Sequence, residues 1–135
     1  MGFIVEPEPG IRVYHYGDTA LFSDLKLIRD LYRPTIAILG CANPDELLVQ
    51  EVGPGKLLTG EMSPDEAALA AEWLGTPVAI ASHYYNADQP DVRAFLDAIP
   101  RHDSTGKRQV VAPMLGETLV LESVDGAISV RRGQS

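Results

Sequence analysis

Short apolar runs separated by helical segments constrain the fold of this chain most strongly. Thr35–Leu39 and Val78–Ala81 are continuous apolar runs, the pattern of strands that are covered on both faces. Apolar residues at helical spacing flank these runs and predict helices over Leu25–Tyr32, Ser63–Leu74 and Gln89–Ile99. Single helices that alternate with single strands favour a sheet with parallel neighbours.

The two ends of the chain carry antiparallel signals. Phe3–Val5 and Ile11–Tyr16 are β-prone runs joined by a connection with two prolines and a glycine, which predicts a hairpin. Three short strands are predicted near the other end, at Val110–Ala112, Thr118–Leu121 and Ile128–Val130. Asp125–Gly126 predicts a hairpin between the last two. The order β-β-α-β-α-β-α-β-β-β therefore predicts a layered α/β or α+β fold, with a mixed sheet and helices on at least one face.

Length and composition limit the function classes. The 135 residues suffice for a single domain, 1–135, with a real core. The net charge is −8 and no basic run is longer than Arg131–Arg132, which argues against nucleic acid and membrane surfaces as partners. Cys41 is the only cysteine, so an intrachain disulfide is excluded. Because no apolar run approaches ~20 residues and no signal peptide is recognisable, we expect a cytoplasmic protein.

A carboxylate and an imidazole stand at the ends of two predicted strands. Tyr14–Thr19 runs from an apolar strand straight into Gly-Asp-Thr, and the strand that ends at Ala81 is followed closely by His83. Carboxylate oxygens and neutral imidazole nitrogens are ligands for Zn²⁺ or Mn²⁺. A carboxylate can also bind one ion with each oxygen, as two-metal hydrolases require. Taken alone, Asp18 also fits an ordinary turn cap, and His83 fits a hydrogen-bonded interior imidazole.

Three motifs in this order resemble the metallo-β-lactamase fold, and most closely its ascorbate-phosphate lactonase-like group of metal-dependent hydrolases. Tyr14–Leu25 is similar to the group's strand, Y-H-A-G-D-T turn and L-F-x-D helix start. Thr59–Ala68 is similar to its turn before a P-x-D/E-A-A helix, and His83–Tyr84 to its His-Tyr pair after an apolar strand. The resemblance covers about Phe3 to Phe95 and implies the C-terminal half of an αββα sandwich.

The resemblance also implies a dinuclear metal site with two divalent ions, Zn²⁺ or Mn²⁺. Asp18 is similar to the group's bridging carboxylate and His83 to its last histidine ligand, so both are the predicted catalytic and metal-binding residues. The remaining ligands of the group come from H-x-H-x-D-H and one further histidine, and this chain contains no such motif. The resemblance therefore implies a partner chain or an N-terminal half that carries H-x-H-x-D-H, and an oligomeric assembly.

Further residues near these motifs are candidates for supporting roles. We expect His15 and Thr19 to pack or hydrogen-bond behind the metal ligands. Cys41 lacks a nearby basic partner, so we interpret it as a small buried residue rather than as a nucleophile. Two short segments are candidates for contact with a small-molecule substrate, with a helix cap as the alternative for the first: Thr59, Gly60 and Glu61, and Tyr84, Tyr85 and Asn86.

These observations lead to one principal hypothesis and two alternatives. The principal hypothesis is a subunit or fragment of a metal-dependent hydrolase, incomplete on its own, that activates water against a lactone, ester, amide or phosphoester. One alternative is a non-catalytic remnant that acts as a binding or assembly module, because half a sandwich exposes an apolar sheet face. The other alternative is an unrelated α/β binding domain.

Overall fold

A computed structural model describes residues 1–42 and 61–133 of the chain. Within these residues the predicted order of strands and helices is confirmed. The strands are β1 (Phe3–Glu8), β2 (Ile11–His15), β3 (Ile36–Gly40), β4 (Val78–Ser82), β5 (Gln109–Val111), β6 (Leu119–Val124) and β7 (Ala127–Arg132), and the helices are α1 (Leu25–Tyr32), α2 (Pro64–Leu74) and α3 (Pro90–His102).

Five strands form one mixed sheet in the order of the sequence, β1-β2-β3-β4-β5. β1 pairs with β2 in antiparallel orientation, and the neighbours from β2 to β5 are parallel. Crossovers between parallel strands are right-handed almost without exception, so a sheet that grows in one direction receives all its helices on the same face. β6 and β7 form a separate antiparallel hairpin.

The core on the helical face is built around α2. This helix is rich in alanine, and four of its alanines are fully buried against the sheet and the neighbouring helices. Small side chains let a helix approach a sheet closely. Tyr14 and Ala37 contribute to this core from β2 and β3, and Phe95 contributes from α3.

Local signals fix where α2 begins. Ser63 Oγ accepts a hydrogen bond from the backbone N–H of Glu66 at 3.2 Å, and the Glu66 carboxylate accepts one from the backbone N–H of Ser63 at 2.9 Å. This reciprocal pair satisfies two N–H groups at the helix start. Met62, directly before the cap, is almost fully buried, so the backbone on either side of it is anchored.

The opposite face of the sheet is covered only in part within the described residues. The β6–β7 hairpin packs Ile128 against Ile36 and Val78. Phe3 and Val5 lie on this same face, since their register partners in β2 are His15 and Val13. They remain 53% and 50% exposed. Among the described residues, an apolar strip along β1 is therefore left accessible on the face opposite the helices.

Two elements extend past a proline that lies outside their predicted bounds, β1 past Pro7 and α3 past Pro100. β1 continues through Pro7 because it is an edge strand with a register shift between Val5 and Glu8, where a missing N–H is tolerated. α3 continues past Ile99 through Pro100, and its last turn is closed by a hydrogen bond from the backbone N–H of Asp103 to the Ile99 carbonyl at 3.0 Å. Across residues 1–42 and 61–133, none of the helices is long and apolar enough to cross a membrane.

Candidate metal centre

Three potential metal ligands converge at one edge of the sheet. The carboxyl ends of parallel strands meet at the same edge, and Asp18 follows β2 there while His83 directly follows β4. Glu61 reaches the same place from the segment before α2. One ligand atom from each of these three side chains lies within 4.8 Å of the other two. The predicted pair of Asp18 and His83 is thus brought together, with Glu61 beside it.

The backbone at both predicted ligands is left-handed. Asp18 has φ 53° and His83 has φ 59°, and Gly17 before Asp18 has φ 59°. Residues other than glycine seldom adopt this conformation, and it persists where the surrounding structure enforces it. Each turn directs the chain sharply away from its strand, so that the side chain comes to lie at the sheet edge instead of continuing the strand.

A hydrogen-bonded chain links the exposed imidazole to the interior. His83 Nδ1 lies 2.9 Å from Glu61 Oε2, and the hydroxyl of Tyr16 donates to the same oxygen at 3.3 Å. The exposed fraction of the side chain falls from 52% at His83 to 17% at Glu61. Tyr16 is fully buried. The two hydrogen bonds therefore connect a solvent-exposed side chain to the packed core.

Gly40 provides the space that the Tyr16 ring occupies. A Cβ atom at Gly40, the last residue of β3, would lie 2.4 Å from Cζ and 2.5 Å from the hydroxyl oxygen of Tyr16. Such distances are far below van der Waals contact, so only glycine leaves room for the ring here. The Tyr16 hydroxyl is thereby aimed at the ligand cluster.

Burial raises the pKa of Tyr16 far above its ordinary value, and a hydrogen bond to Asp18 and the negative charge of Glu61 raise it further. Tyr16 therefore keeps its proton at any pH near neutrality. A protonated phenol can only donate toward a carboxylate, so the direction of the Tyr16–Glu61 hydrogen bond is fixed.

The donor set suits a divalent cation of the zinc or manganese type. Two carboxylates and an imidazole are typical ligands for such ions. Ligand atoms at about 2.0–2.2 Å from zinc are separated from one another by no more than about 4.4 Å. Asp18, Glu61 and His83 each place one such atom within 4.8 Å of the other two, so small side-chain adjustments would suffice to bring them around an ion.

His15 and Thr19 brace the turn that carries Asp18. His15 Nδ1 accepts a hydrogen bond from the backbone N–H of Gly17 at 3.1 Å, and its ring stacks on Phe3 with centroids 5.1 Å apart. Thr19 Oγ1 donates to the carbonyl of Tyr16 at 2.9 Å. Neither belongs to the converging group. Both lie where residues behind the ligands were expected, and the supporting role stays a prediction.

The predicted substrate-contacting residues that the structure describes do not form a single cluster. Tyr84 donates its hydroxyl proton to the carbonyl of Pro113, and Tyr85 is fully exposed. The Asn86 side chain accepts a hydrogen bond from the backbone N–H of Asp88 at 3.0 Å. Of this set only Glu61 joins the ligand cluster. Thr59 and Gly60 lie outside the described residues, and the substrate role of all six stays a prediction.

Tyr16 is the residue at this site that sequence reasoning missed. Its signal was the two-residue period of a strand, since Tyr14 and Tyr16 fall on the same face and Tyr14 belongs to the helical core. Cys41, by contrast, is where it was expected. It is fully buried, and burial raises the pKa of its thiol to about 12. An uncharged, enclosed thiol is unsuited to nucleophilic attack.

Comparison with known proteins identifies the family of this chain. Residues 1–84 match the family model described as "Beta-lactamase superfamily domain". The chain belongs to this family. The alternative of an unrelated α/β binding domain is therefore wrong.

The β-lactamase superfamily relatives are longer than this chain. A UPF0173 metal-dependent hydrolase of Methanoculleus marisnigri is 38% identical over 108 residues, which cover 76% of this chain and 40% of the relative. Another of the same description, from Rubrobacter xylanophilus, is 43% identical over 84 residues, which cover 62% of this chain and 28% of the relative. The chain thus spans less than half the length of these relatives.

Solved structures confirm the fold. The chain is similar to Igni18, a metallo hydrolase of Ignicoccus hospitalis, with a TM-score of 0.55 and 23% identity over 98% of this chain and 46% of that one. It is also similar to the metallo-β-lactamase fold protein YhfI of Bacillus subtilis, with a TM-score of 0.57 and 12% identity over 98% of this chain and 44% of that one. The prediction of half a metallo-β-lactamase sandwich, with helices on one face of a mixed sheet, is confirmed.

Proposed function

We propose that this chain supplies Asp18 and His83 to the dinuclear metal site of a hydrolase. The observation that carries the proposal is the convergence of Asp18 and His83 with Glu61, since a polar atom from each side chain lies within 4.8 Å of the other two at the carboxyl edge of the sheet. The relatives that the chain matches are described as metal-dependent hydrolases. Zn²⁺ or Mn²⁺ fits the donor set.

Asp18 is suited to bridge two ions, and His83 to hold one of them. The Asp18 carboxylate has two oxygens, and the turn around Gly17 presents it at the sheet edge. His83 contributes a neutral ring nitrogen. When bound, a pair of divalent ions activates water and polarises the oxygen of a scissile carbonyl or phosphoryl group. The substrate class is accordingly a lactone, an ester, an amide or a phosphoester.

The remaining ligands would come from a second chain or a preceding segment that carries H-x-H-x-D-H. Half-exposed Phe3 and Val5 support this, because they leave an apolar strip on the face of the sheet that carries no helix from residues 1–42 and 61–133. Surfaces of this kind are usually covered by a partner. The greater length of the relatives is a second, independent support. We propose that the covered form is the active assembly.

Native mass spectrometry of the protein isolated from its own source tests this function. The expected result is a species that contains a histidine-rich partner or segment together with two metal ions. Asp18→Asn should lose metal and hydrolytic activity in that species, whereas Asp125→Asn, in an exposed hairpin turn, should lose neither. A metal-free protein, or an Asp18→Asn variant with full metal content and activity, would overturn the proposal and favour a non-catalytic binding or assembly module.

A further inference from the structure

His83 is a poorly confined side chain for a metal ligand. Its ring is 52% exposed, and it follows a strand end in a left-handed turn. Rotation of the ring about its Cβ–Cγ bond would place a ring carbon where each nitrogen now lies. Glu61 meets this ring from a much firmer position, since it is mostly buried and adjoins the anchored Met62 and the Ser63 cap.

We propose that Glu61 is a positioning residue that accepts a hydrogen bond from Nδ1–H of His83 and so keeps the Nε2 lone pair available for a metal ion. The observed contact is His83 Nδ1 to Glu61 Oε2 at 2.9 Å. A carboxylate can only accept, so the proton of a neutral imidazole must reside on Nδ1 and the lone pair on Nε2. The proposal rests on the proposed function in one respect, that His83 is a metal ligand.

Tyr16 extends this arrangement into the core. Its hydroxyl donates to the same Oε2 atom of Glu61, so that oxygen is shared between a buried donor and the exposed imidazole. The Tyr16 ring cannot shift toward β3, because Gly40 leaves only the space that the ring fills. The packed sheet therefore holds Tyr16 in place, Tyr16 holds Glu61, and Glu61 holds His83.

The same geometry distinguishes positioning from direct ligation by Glu61. A positioning role needs only an acceptor oxygen at Oε2, which the amide of glutamine also provides. Direct ligation needs the carboxylate charge, because a neutral amide oxygen is a weaker ligand for zinc. If Glu61 positions His83, Glu61→Gln and Glu61→Leu should therefore differ in zinc affinity. If Glu61 binds zinc directly, the two variants should lose similar amounts of zinc affinity.

The tautomer of His83 is the first readout, measured by long-range ¹H–¹⁵N NMR on the metal-free protein at about pH 8. We expect the Nδ1–H form in the parent and in Glu61→Gln, and its loss in Glu61→Leu. Asp65→Leu is the matched control, since Asp65 Oδ1 contacts His102 Nε2 at 3.0 Å in a similar pair that is not part of the ligand cluster. This control should leave the His83 signals unchanged.

Zinc affinity is the second readout, measured on the complete protein by competition with a chromophoric chelator. Glu61→Leu should weaken zinc binding by about 10–100-fold, the usual effect of removing such a partner. Tyr16→Phe should weaken it less, Glu61→Gln should retain more zinc affinity than Glu61→Leu, and Asp65→Leu should bind zinc as the parent does. An Nε2–H tautomer in the parent, or equal losses in Glu61→Gln and Glu61→Leu, would overturn the positioning role. A parent that binds no zinc refutes the proposed function instead, while the tautomer still decides the role of Glu61.

Discussion

Asp18 and His83 leave their strands in the same left-handed conformation, with φ 53° and 59°. They come from different strands and have different side chains, yet both turns deliver a ligand atom to the same small volume at the sheet edge. A left-handed residue other than glycine costs roughly 1–2 kcal/mol. Such strain is concentrated at functional sites, where the position of a side chain matters more than local stability.

This backbone predicts how substitutions at Asp18 divide between stability and binding. Asp18→Asn should unfold at nearly the parental urea concentration, because asparagine tolerates the left-handed region. Asp18→Ala should be less stable by about 1 kcal/mol. Both should lose bound metal. Asp125, with φ 50°, provides the control: Asp125→Asn and Asp125→Ala should differ in stability in the same way and retain metal. Equal stability of the two Asp18 variants would contradict the backbone argument.

Gly40→Ala should disturb the site by displacing the buried ring of Tyr16. The added Cβ would lie 2.4 Å from the Tyr16 ring, and overpacking of this kind costs about 1–3 kcal/mol. The ring must move, and its hydrogen bond to Glu61 is lost with it. We expect a lower urea midpoint and weaker zinc binding. The double variant Gly40→Ala/Tyr16→Ala should recover part of the stability. A Gly40→Ala protein with parental stability would show that the ring is not confined.

The parts of the fold that sequence predicts well are those fixed by local signals. Ser63–Glu66 carries a cap, a proline and an acidic residue in the first turn, and α2 starts there as predicted. Proline is a poor guide to the end of an element where the tertiary structure tolerates it. Pro7 lies within an edge strand and Pro100 within the last turns of a helix, because in each place few hydrogen bonds depend on the missing N–H.

The candidate site was only half predictable, because its contacts are long-range. Asp18 and His83 follow from strand ends and from the resemblance, which locates them by motif. Tyr16 and Glu61 are 45 positions apart, and no local pattern indicates that they meet. The resemblance gave no help either, since the family turn quoted above has alanine where this chain has Tyr16. Sequence reasoning therefore predicted only a substrate contact for Glu61, and the structure adds the contact of its carboxylate with His83.

A further prediction about stability concerns the buried guanidinium of Arg108. Its side chain is only 2% exposed and lies 3.0 Å from a Glu72 oxygen and 3.3 Å from an Asp103 oxygen. Arg108→Met would leave the buried Asp103 carboxylate and the partly exposed Glu72 carboxylate without their cation, which should cost about 3 kcal/mol, the lower end of the range for a buried pair. Urea unfolding measures the loss. Arg101→Met removes a solvent-exposed pair with Asp65 and should change stability by no more than about 1 kcal/mol. Equal effects of the two variants would refute a structural role for Arg108.

Cys41 should be unreactive in the folded protein. It is fully buried, and burial raises the pKa of its thiol to about 12, so very little reactive thiolate is present near neutral pH. We expect intact-mass measurement to find no iodoacetamide adduct on the native protein and one adduct after unfolding in urea. Cys41→Ala should retain metal binding. Rapid labelling of the native protein would mean that the thiol is accessible and would reopen a nucleophilic role.

The pH dependence of stability should depend on Asp103. Burial by itself raises the pKa of this carboxyl, but hydrogen bonds from Thr105 and from the Arg108 backbone, with the charge of Arg108, outweigh burial and lower it to about 2. An unfolded aspartate titrates near about 3.9. The folded-state pKa is the lower one, so the stabilisation is present above about pH 4 and is lost as the pH falls toward about 2. In urea titrations across this window, Asp103→Asn should start less stable and decline less steeply than the parent. Asp125→Asn should keep the parental slope, and parallel curves for the parent and Asp103→Asn would show that Asp103 does not contribute.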